Sequence, residues 1–208
     1  MNISRTSPRP GGRSARVQAA VHQATRELID QHGRAALTVP LIAARAGVTP
    51  STIYRRWGDL AELLSDVSVE RMRPDGEPAD TGSVRGDLSA WAEQFHEEMS
   101  SEVGLAMLKD VLSTGTVGEG TGACQCAQFT AAQIEVIVHR GMARGEAVPE
   151  VESVMDGLVA PIIYRALWGP APATLALVGR WVDGCMKAAA VRAPQGPAST
   201  SLRQTGIA

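Results

Sequence analysis

A basic, hydroxyl-rich stretch spanning residues 37–64 holds the side chains whose chemistry suits a polyanion. Its centre, residues 49–57, reads TPSTIYRRW and offers several hydroxyls and two guanidinium groups. A guanidinium can donate to both acceptors of guanine in the major groove, and hydroxyls and arginines also bind phosphate. Arg55 is therefore the best candidate for reading a base, and the stretch as a whole favours DNA as its partner.

Helix signals around this centre predict a helix-turn-helix. Gly47 stands where a first helix would end and the backbone would need a positive φ, which glycine adopts at little cost. Thr49 offers a hydroxyl to cap the next helix, and Pro50 fits the first turn because no backbone donor is needed there. A short basic helix in second place is typical of a recognition helix that enters DNA.

The faces of this second helix follow from a rotation of about 100° per residue. Ile53 and Trp57 fall on one side and should face the first helix. Ser51 and Arg55 then point directly away. Three further polar residues flank that outward face: Thr52, Tyr54 and Arg56.

Charge is divided unevenly along the 208 residues, although the net charge is only −2. Residues 1–58 hold nine arginines and two acids, hence +7, whereas residues 59–208 hold 11 basic and 20 acidic residues, hence −9. This division indicates that only the first part meets a polyanion. A solvated basic tail is the alternative, since four of the arginines precede Val17.

Apolar periodicity predicts an all-α protein, without a strand or an internal repeat. Nine helices are expected, at about residues 14–31, 39–46, 50–57, 60–72, 84–101, 103–112, 123–144, 151–168 and 174–191. Thr38 should cap the second, and Asp59 with Glu62 should start the fourth as a capping box. Residues 1–13 are predicted to be a disordered basic arm and residues 193–208 a disordered tail.

Several function classes find no support in the sequence. No apolar run reaches the length of a membrane span, and the N-terminus lacks a secretory signal, so a cytoplasmic protein is expected. Cys124 and Cys126 would point in different directions on a helix, and His139 and Cys185 are isolated. We therefore expect no metal, no cofactor and no enzymatic activity. A redox sensor built on Cys124 and Cys126 is the alternative to ordinary thiols.

Residues 37–64 closely resemble the DNA-binding domain of the TetR family of bacterial transcriptional regulators. The matching segments are LT at 37–38, IAARAGV at 42–48, TPST at 49–52, IYRRW at 53–57 and DLAELL at 59–64. The rest of the chain agrees with the family in length and helical character. The resemblance implies a homodimer with a DNA-binding domain at residues 14–58 and a helical ligand-binding and dimerisation bundle at residues 59–192.

The resemblance also implies which residues meet DNA. Five would contact base edges or nearby phosphates: Thr49, Pro50, Ser51, Thr52 and Arg55. Tyr54 would hold a phosphate, with packing on the first helix as the alternative. Thr38 would hold another at a helix N-terminus, where free N–H groups favour an anion, and Arg56 would lie near the DNA backbone.

One departure from the family concerns Leu60. The family usually has a lysine there that reaches a phosphate, so one contact per subunit is expected to be missing. Four upstream arginines are expected to compensate: Arg5, Arg9, Arg13 and Arg16.

The C-terminal bundle is expected to hold a small effector of apolar or aromatic character. Eight candidate lining residues are Trp91, Phe95, Met99, Met107, Phe129, His139, Tyr164 and Trp168, and core packing is the alternative for most of them. The last two long helices carry the expected dimer interface. Its residues would be Ile162, Ile163, Ala166, Leu167, Leu175, Leu177, Val178, Trp181, Val182 and Met186, with burial inside one chain as the alternative.

Two functions follow from these expectations. The first is a sequence-specific DNA-binding transcriptional regulator, a repressor that a small-molecule effector releases from a pseudo-palindromic operator. The alternative is a small-molecule-binding or protein-interaction module on the same fold that does not bind an operator. Leu60 supports the alternative, and the +7 charge of the first 58 residues opposes it.

Overall fold

The computed structural model describes residues 12–114 and 121–192, and every regular element in these ranges is a helix. The predicted all-α class is therefore confirmed. The predicted tail, most of the arm and the centre of the loop after residue 113 lie outside the described residues. The helices are α1 Arg13–His32, α2 Val39–Ala46, α3 Pro50–Trp57, α4 Leu60–Arg71, α5 Val84–Ser100, α6 Glu102–Ser113, α7 Gly122–Ala143, α8 Val151–Val154, α9 Ala160–Trp168 and α10 Leu175–Arg192.

Local signals explain where α2, α3 and α4 begin and end. Gly47 ends α2 with φ at 67°, in the left-handed region. Thr38 accepts a hydrogen bond from the Leu41 amide over 3.3 Å, and Asp59 accepts one from the Glu62 amide over 2.9 Å. Both predicted caps are thus confirmed, although Glu62 does not complete a capping box by bonding back to Asp59.

The predicted cap at Thr49 is only half right. Thr49 has the extended backbone of an N-cap residue, but its side chain accepts no backbone amide. Its hydroxyl instead lies 2.9 Å from the Ser51 hydroxyl and 3.0 Å from the Thr52 hydroxyl. The Ser51 and Thr52 hydroxyls therefore compete with the backbone amides of the first turn for the Thr49 hydroxyl.

The described residues form two compact units. The first comprises Met1–Gly76 and Ser101–Thr130, so α6 and the start of α7 belong with the four N-terminal helices. Its core lies between α1, α2, α3 and α4, and α6 packs along α4. Its buried apolar side chains are Val21, Ala24, Leu28, Leu37, Val39, Ile42, Ala43, Ile53, Trp57, Leu63 and Val67. This grouping concerns packing alone, so the functional boundary between residues 58 and 59 stays a prediction.

The second unit comprises Glu77–Ser100 and Ala131–Ala208. Its core joins α5, the end of α7, and the helices from α8 to α10. Ile162, Val178 and Val182 are each 1% exposed within this core. Their predicted place in a dimer interface is therefore wrong, because their apolar surface is already buried inside one chain.

One long helix was predicted for residues 151–168, and the structure interrupts it with a π-helical turn at Met155–Val159. Pro161 explains the change, since it has no N–H to donate to the carbonyl four residues earlier. Gly157 lies in this turn, and a Cβ there would come within 3.3 Å of the Cys185 sulfur on α10. The turn thus brings the backbone close to α10.

A buried carboxylate fixes the connector that precedes α5. Asp87 accepts hydrogen bonds from the Thr81 amide and the Thr81 hydroxyl. It also forms an ion pair with Arg144. Burial alone would raise the pKa of Asp87, but these partners outweigh it and hold the pKa below its usual value. The end of the proline- and glycine-rich connector is therefore tied to α5 and to the residue that follows α7.

Candidate nucleic-acid interface

Helix α3 is anchored on its inner side and open on its outer side. Ile53 is fully buried and Trp57 is 8% exposed, while Ser51 and Arg55 are exposed. The faces expected from helical pitch are therefore confirmed. Arg55 makes no hydrogen bond or ion pair with any residue that the structure describes, so its guanidinium is free for a ligand.

An open groove of about 910 Å³ runs between the start of α1 and the turn before α3. Three arginines line it, and the remaining lining residues are small, polar or aliphatic. They are Arg13, Ser14, Val17, Gly47, Val48, Thr49, Thr52, Arg55 and Arg56. Arg13 is the first residue of α1 rather than part of a disordered arm. Guanidinium groups around an open groove attract a polyanion such as DNA.

Arg56 is turned towards α1. Its guanidinium donates to the Ser14 carbonyl and hydroxyl at 3.2 and 2.7 Å and to the Gln18 side-chain oxygen at 2.5 Å. It also lies over the Trp57 ring, 5.2 Å from the centroid. Arg56 therefore braces α3 against α1, and its predicted place near the DNA backbone remains untested.

The side chains of Tyr54 and Thr38 each have a hydroxyl that could donate a hydrogen bond to a phosphate. Tyr54 is 50% exposed, which leaves room for both packing and a DNA contact. The Thr38 hydroxyl uses one lone pair for the Leu41 amide and keeps its proton to donate. Pro50 is also exposed at the start of α3, and Thr52 is half-buried.

A cluster of hydrogen-bonded side chains, which was not predicted from the sequence, joins α1, α3 and α4. We call it the clasp, and its members are Gln18, His22, Trp57, Asp66 and Glu70. His22 is fully buried, with Nδ1 against Glu70 and Nε2 2.9 Å from an Asp66 oxygen. The same oxygen accepts from Trp57 Nε1 at 2.7 Å and from Gln18 Nε2 at 3.2 Å. The clasp therefore attaches the recognition helix to its two neighbours.

The charges of the clasp reinforce one another. Burial alone would lower the pKa of His22, but its bonds to Asp66 and Glu70 outweigh burial and raise that pKa. Burial likewise would raise the pKa of Asp66, but His22 and Trp57 hold it below its usual value. Both shifts favour the ionised forms, as expected for opposite charges in contact.

A second polar cluster joins α6 to the same unit. Asp110 on α6 is 8% exposed and pairs with Arg34, which lies in the short 3₁₀ turn before α2. It also accepts a hydrogen bond from the Ser68 hydroxyl on α4 over 2.8 Å. Asp110 thus connects α6 to both the α1–α2 connection and α4.

The eight candidate effector residues do not share one environment. Met107 and Phe129 belong to the first unit and the other six to the second. Trp91 and Met99 are buried, and the Trp91 and Phe95 rings stack with centroids 5.0 Å apart. His139 is exposed. The roles of these residues in binding an effector stay predictions.

Tyr164 and Trp168 form an exposed aromatic pair on α9. They are 62% and 67% exposed, and their ring centroids are 5.7 Å apart. Leu175, at the start of α10, is 59% exposed. Within a single chain the two aromatic side chains therefore line no enclosed cavity.

Two of the cysteines, Cys126 and Cys185, lie where burial disfavours the thiolate. Burial raises the pKa of Cys126 to about 11, and it also raises the pKa of Cys185. A thiol with such a pKa stays protonated near neutral pH and reacts slowly with oxidants. No group of histidine, cysteine or acidic residues suited to a metal ion occurs in residues 12–114 and 121–192. Among the same residues, no helix combines the length and the apolar character of a membrane span.

Comparison with known proteins covers both parts of the chain. Residues 22–67 match the family described as bacterial regulatory proteins, tetR family. Residues 78–185 match the family described as tetracyclin repressor-like, C-terminal domain. The HTH-type transcriptional regulator AqdR of Rhodococcus erythropolis is 30% identical over 71% of this chain and 74% of its own length.

Two further similarities agree with these matches. An uncharacterized HTH-type transcriptional regulator of Mycobacterium tuberculosis is 29% identical over 76% of this chain and 80% of its own length. The crystal structure of the TetR family transcription regulator SCO0332 superposes with a TM-score of 0.58 at 24% identity, covering 82% of this chain and 97% of that one.

Proposed function

The chain belongs to the TetR family of bacterial regulatory proteins and is a DNA-binding transcriptional regulator, and on that premise we propose that it is a repressor released from its operator by a small molecule. Regulators of this family bind DNA operators and small-molecule effectors, and they dimerise. The observation that supports operator binding is the free Arg55 guanidinium on an outward face of α3 whose opposite face is buried. Release by a small molecule is supported by the family match.

The proposed interface divides the work between base readout and phosphate binding. Arg55 and Ser51 would reach base edges, because they project furthest from the anchored side of α3. Phosphates would be bound by Thr38, Tyr54, Arg13 and the hydroxyls at the start of α3. These contacts would fix the position of the protein along the duplex. Those hydroxyls belong to Thr49 and Thr52, which line the groove with Arg13 and Arg55. Arg13 would supply the phosphate contact that Leu60 cannot make.

The first test is selection of DNA from a genomic library on the full-length protein, followed by affinity measurements across a salt series. We expect one recovered pseudo-palindromic duplex and an affinity that falls steeply with salt, with a log–log slope of about −0.9 for each phosphate contact. Retention of no duplex at low salt would contradict operator binding. A recovered site without two-fold symmetry would contradict the proposed dimeric reading.

Addition of compounds to that complex tests the effector. We propose an apolar or aromatic effector because none of the eight predicted lining residues is an aspartate, a glutamate, a lysine or an arginine. A panel of aromatic and long-chain compounds should include one that releases the duplex, while charged sugars and amino acids should leave it bound. Release by the charged compounds alone would contradict this assignment.

A dimer interface centred on Tyr164 and Trp168 accounts for their exposure in the single chain. Two neighbouring aromatic rings at this exposure are typical of a surface that a partner covers. We expect the double variant Tyr164→Ala/Trp168→Ala to sediment as a monomer at concentrations where the wild type is a dimer. The matched control is Met142→Ala, an exposed apolar residue on α7. An unchanged dimer in the double variant would place the interface elsewhere.

A further inference from the structure

We propose that His22 is a positioning residue for DNA binding: as an imidazolium it clasps Asp66 and Glu70 and thereby holds the recognition helix α3 in its DNA-binding orientation. This inference rests on the proposed DNA interface but concerns a buried group outside it. No residue of the clasp was among the residues expected to contact DNA.

Both nitrogens of the His22 ring face a carboxylate. A neutral imidazole has one donor and one acceptor, whereas an ionised carboxylate only accepts. His22 has a carboxylate at each ring nitrogen, Glu70 at Nδ1 and Asp66 at Nε2. Both contacts are hydrogen bonds only when both nitrogens carry a proton. With both carboxylates ionised, the geometry therefore favours the imidazolium, and the raised pKa of His22 agrees with it.

Asp66 and Gln18 connect His22 to α3. The Asp66 oxygen that faces His22 also accepts from Trp57 Nε1, and Trp57 is the last residue of α3. Gln18 adds a second route, since it donates to Asp66 and accepts from Arg56 on α3. A displacement of Asp66 would therefore act directly on the end of the recognition helix.

Two carboxylates and two arginines surround the His22 ring. Asp66 and Glu70 on α4 face His22 directly, and Arg26 on α1 reaches Glu70 over 3.4 Å. Arg56 on α3 lies near enough to lower the pKa of Asp66. With His22 protonated, three cations face two anions. Loss of its proton turns one ring nitrogen into an acceptor that faces a carboxylate, and the clasp must open on that side.

The sign of the pH dependence follows from the raised pKa. The contribution of a group whose pKa is higher in the folded protein is present in full below its unfolded-state pKa of about 6.5. It is lost as pH rises through the higher folded-state pKa. Deprotonation opens the clasp and releases the end of α3, so DNA affinity should decrease as pH rises through the folded-state pKa of His22, while arginines keep their charge throughout.

The experiment measures binding of the full-length protein to the duplex recovered by genomic selection, from about pH 6 to about pH 9. The wild type should lose about tenfold in affinity across this range. His22→Gln should bind at the weak level at all pH values. Glu70→Gln removes the need for the second ring proton, so its transition should move to lower pH. His32→Gln, an exposed histidine on the same helix, should behave as wild type.

The outcomes separate the inference from the proposed function. A pH-independent wild type, an unchanged transition in Glu70→Gln, or the same decrease in His22→Gln would each overturn the role of His22. Nitrogen chemical shifts of the His22 ring, measured without DNA, should show two protonated nitrogens at about pH 6.5, where a free imidazole is only half protonated, and a neutral ring there would also overturn it. Failure of the wild type to bind any duplex would contradict operator binding. The protonation state of His22 would then be decided by the nitrogen chemical shifts alone.

Discussion

Arg55→Ala should lower affinity for the operator about ten- to a hundredfold per subunit while changing affinity for random-sequence DNA far less. The range is about 1.4–2.8 kcal/mol for each subunit of the proposed dimer, within the discrimination of about 1–3 kcal/mol that one bidentate arginine–guanine contact provides. Arg55 is exposed and bonds to no described residue, so its removal should leave the fold intact. Any loss of binding would then report the DNA contact itself.

Arg55→Lys is the matched variant that separates charge from geometry. Lysine keeps the positive charge but cannot present the planar fork that fits guanine. We expect it to bind random DNA as wild type does, with an unchanged salt slope, and to lose most of the preference for the operator. Titration of both variants with operator and random duplexes at several salt concentrations measures each quantity. Equal losses on the two DNAs in Arg55→Ala would show that Arg55 only binds phosphate.

The positions of α2 and α3 could be predicted to the residue because their signals are local. Gly47 and Gly58 both adopt positive φ at helix ends, and Pro50 marks the first turn of α3. Burial of Ile53 and Trp57 follows from helical pitch alone. The Thr49 hydroxyl was harder to predict, because the outcome depended on two neighbouring hydroxyls competing for it.

The clasp shows what sequence reasoning could have found and did not. Gln18, His22 and Arg26 recur every four residues on α1, and Asp66 and Glu70 are four apart on α4. Each set therefore lies on one helical face. That spacing signals two polar stripes, but their pairing depends on which faces of α1 and α4 meet, and this is decided by packing across more than 40 residues of sequence.

Three of the ten predicted dimer residues were wrong for a different reason. Helices α9 and α10 are apolar on more than one side, so their composition indicates excess apolar surface without saying which side the chain itself covers. The structure buries Ile162, Val178 and Val182 and leaves Tyr164 and Trp168 exposed. The packing of α9 and α10 against α5 and the π-helical turn within the second unit distinguishes the two faces.

Asp110→Ala should reduce the stability of the first unit by about 2 kcal/mol. Removing one partner of a buried ion pair costs about 3–5 kcal/mol, because the other charge stays behind without compensation. The estimate is reduced because the Arg34 side chain is 30% exposed and can recover some hydration. Denaturant unfolding followed by a probe in the first unit measures the change.

Two further variants identify the cause of that loss. Ser68→Ala removes only the hydroxyl that donates to Asp110, so it should cost about 1 kcal/mol. Arg34→Met combined with Asp110→Leu removes both charges and should be more stable than Asp110→Ala alone, since no unpaired charge remains. Arg34→Met and Asp110→Leu are also measured singly, and a double variant as unstable as the sum of these two would mean that the two side chains contribute independently. In that case α6 would be held to the DNA-binding helices by its apolar contacts with α4, and Asp110 would not couple it to the connection between α1 and α2.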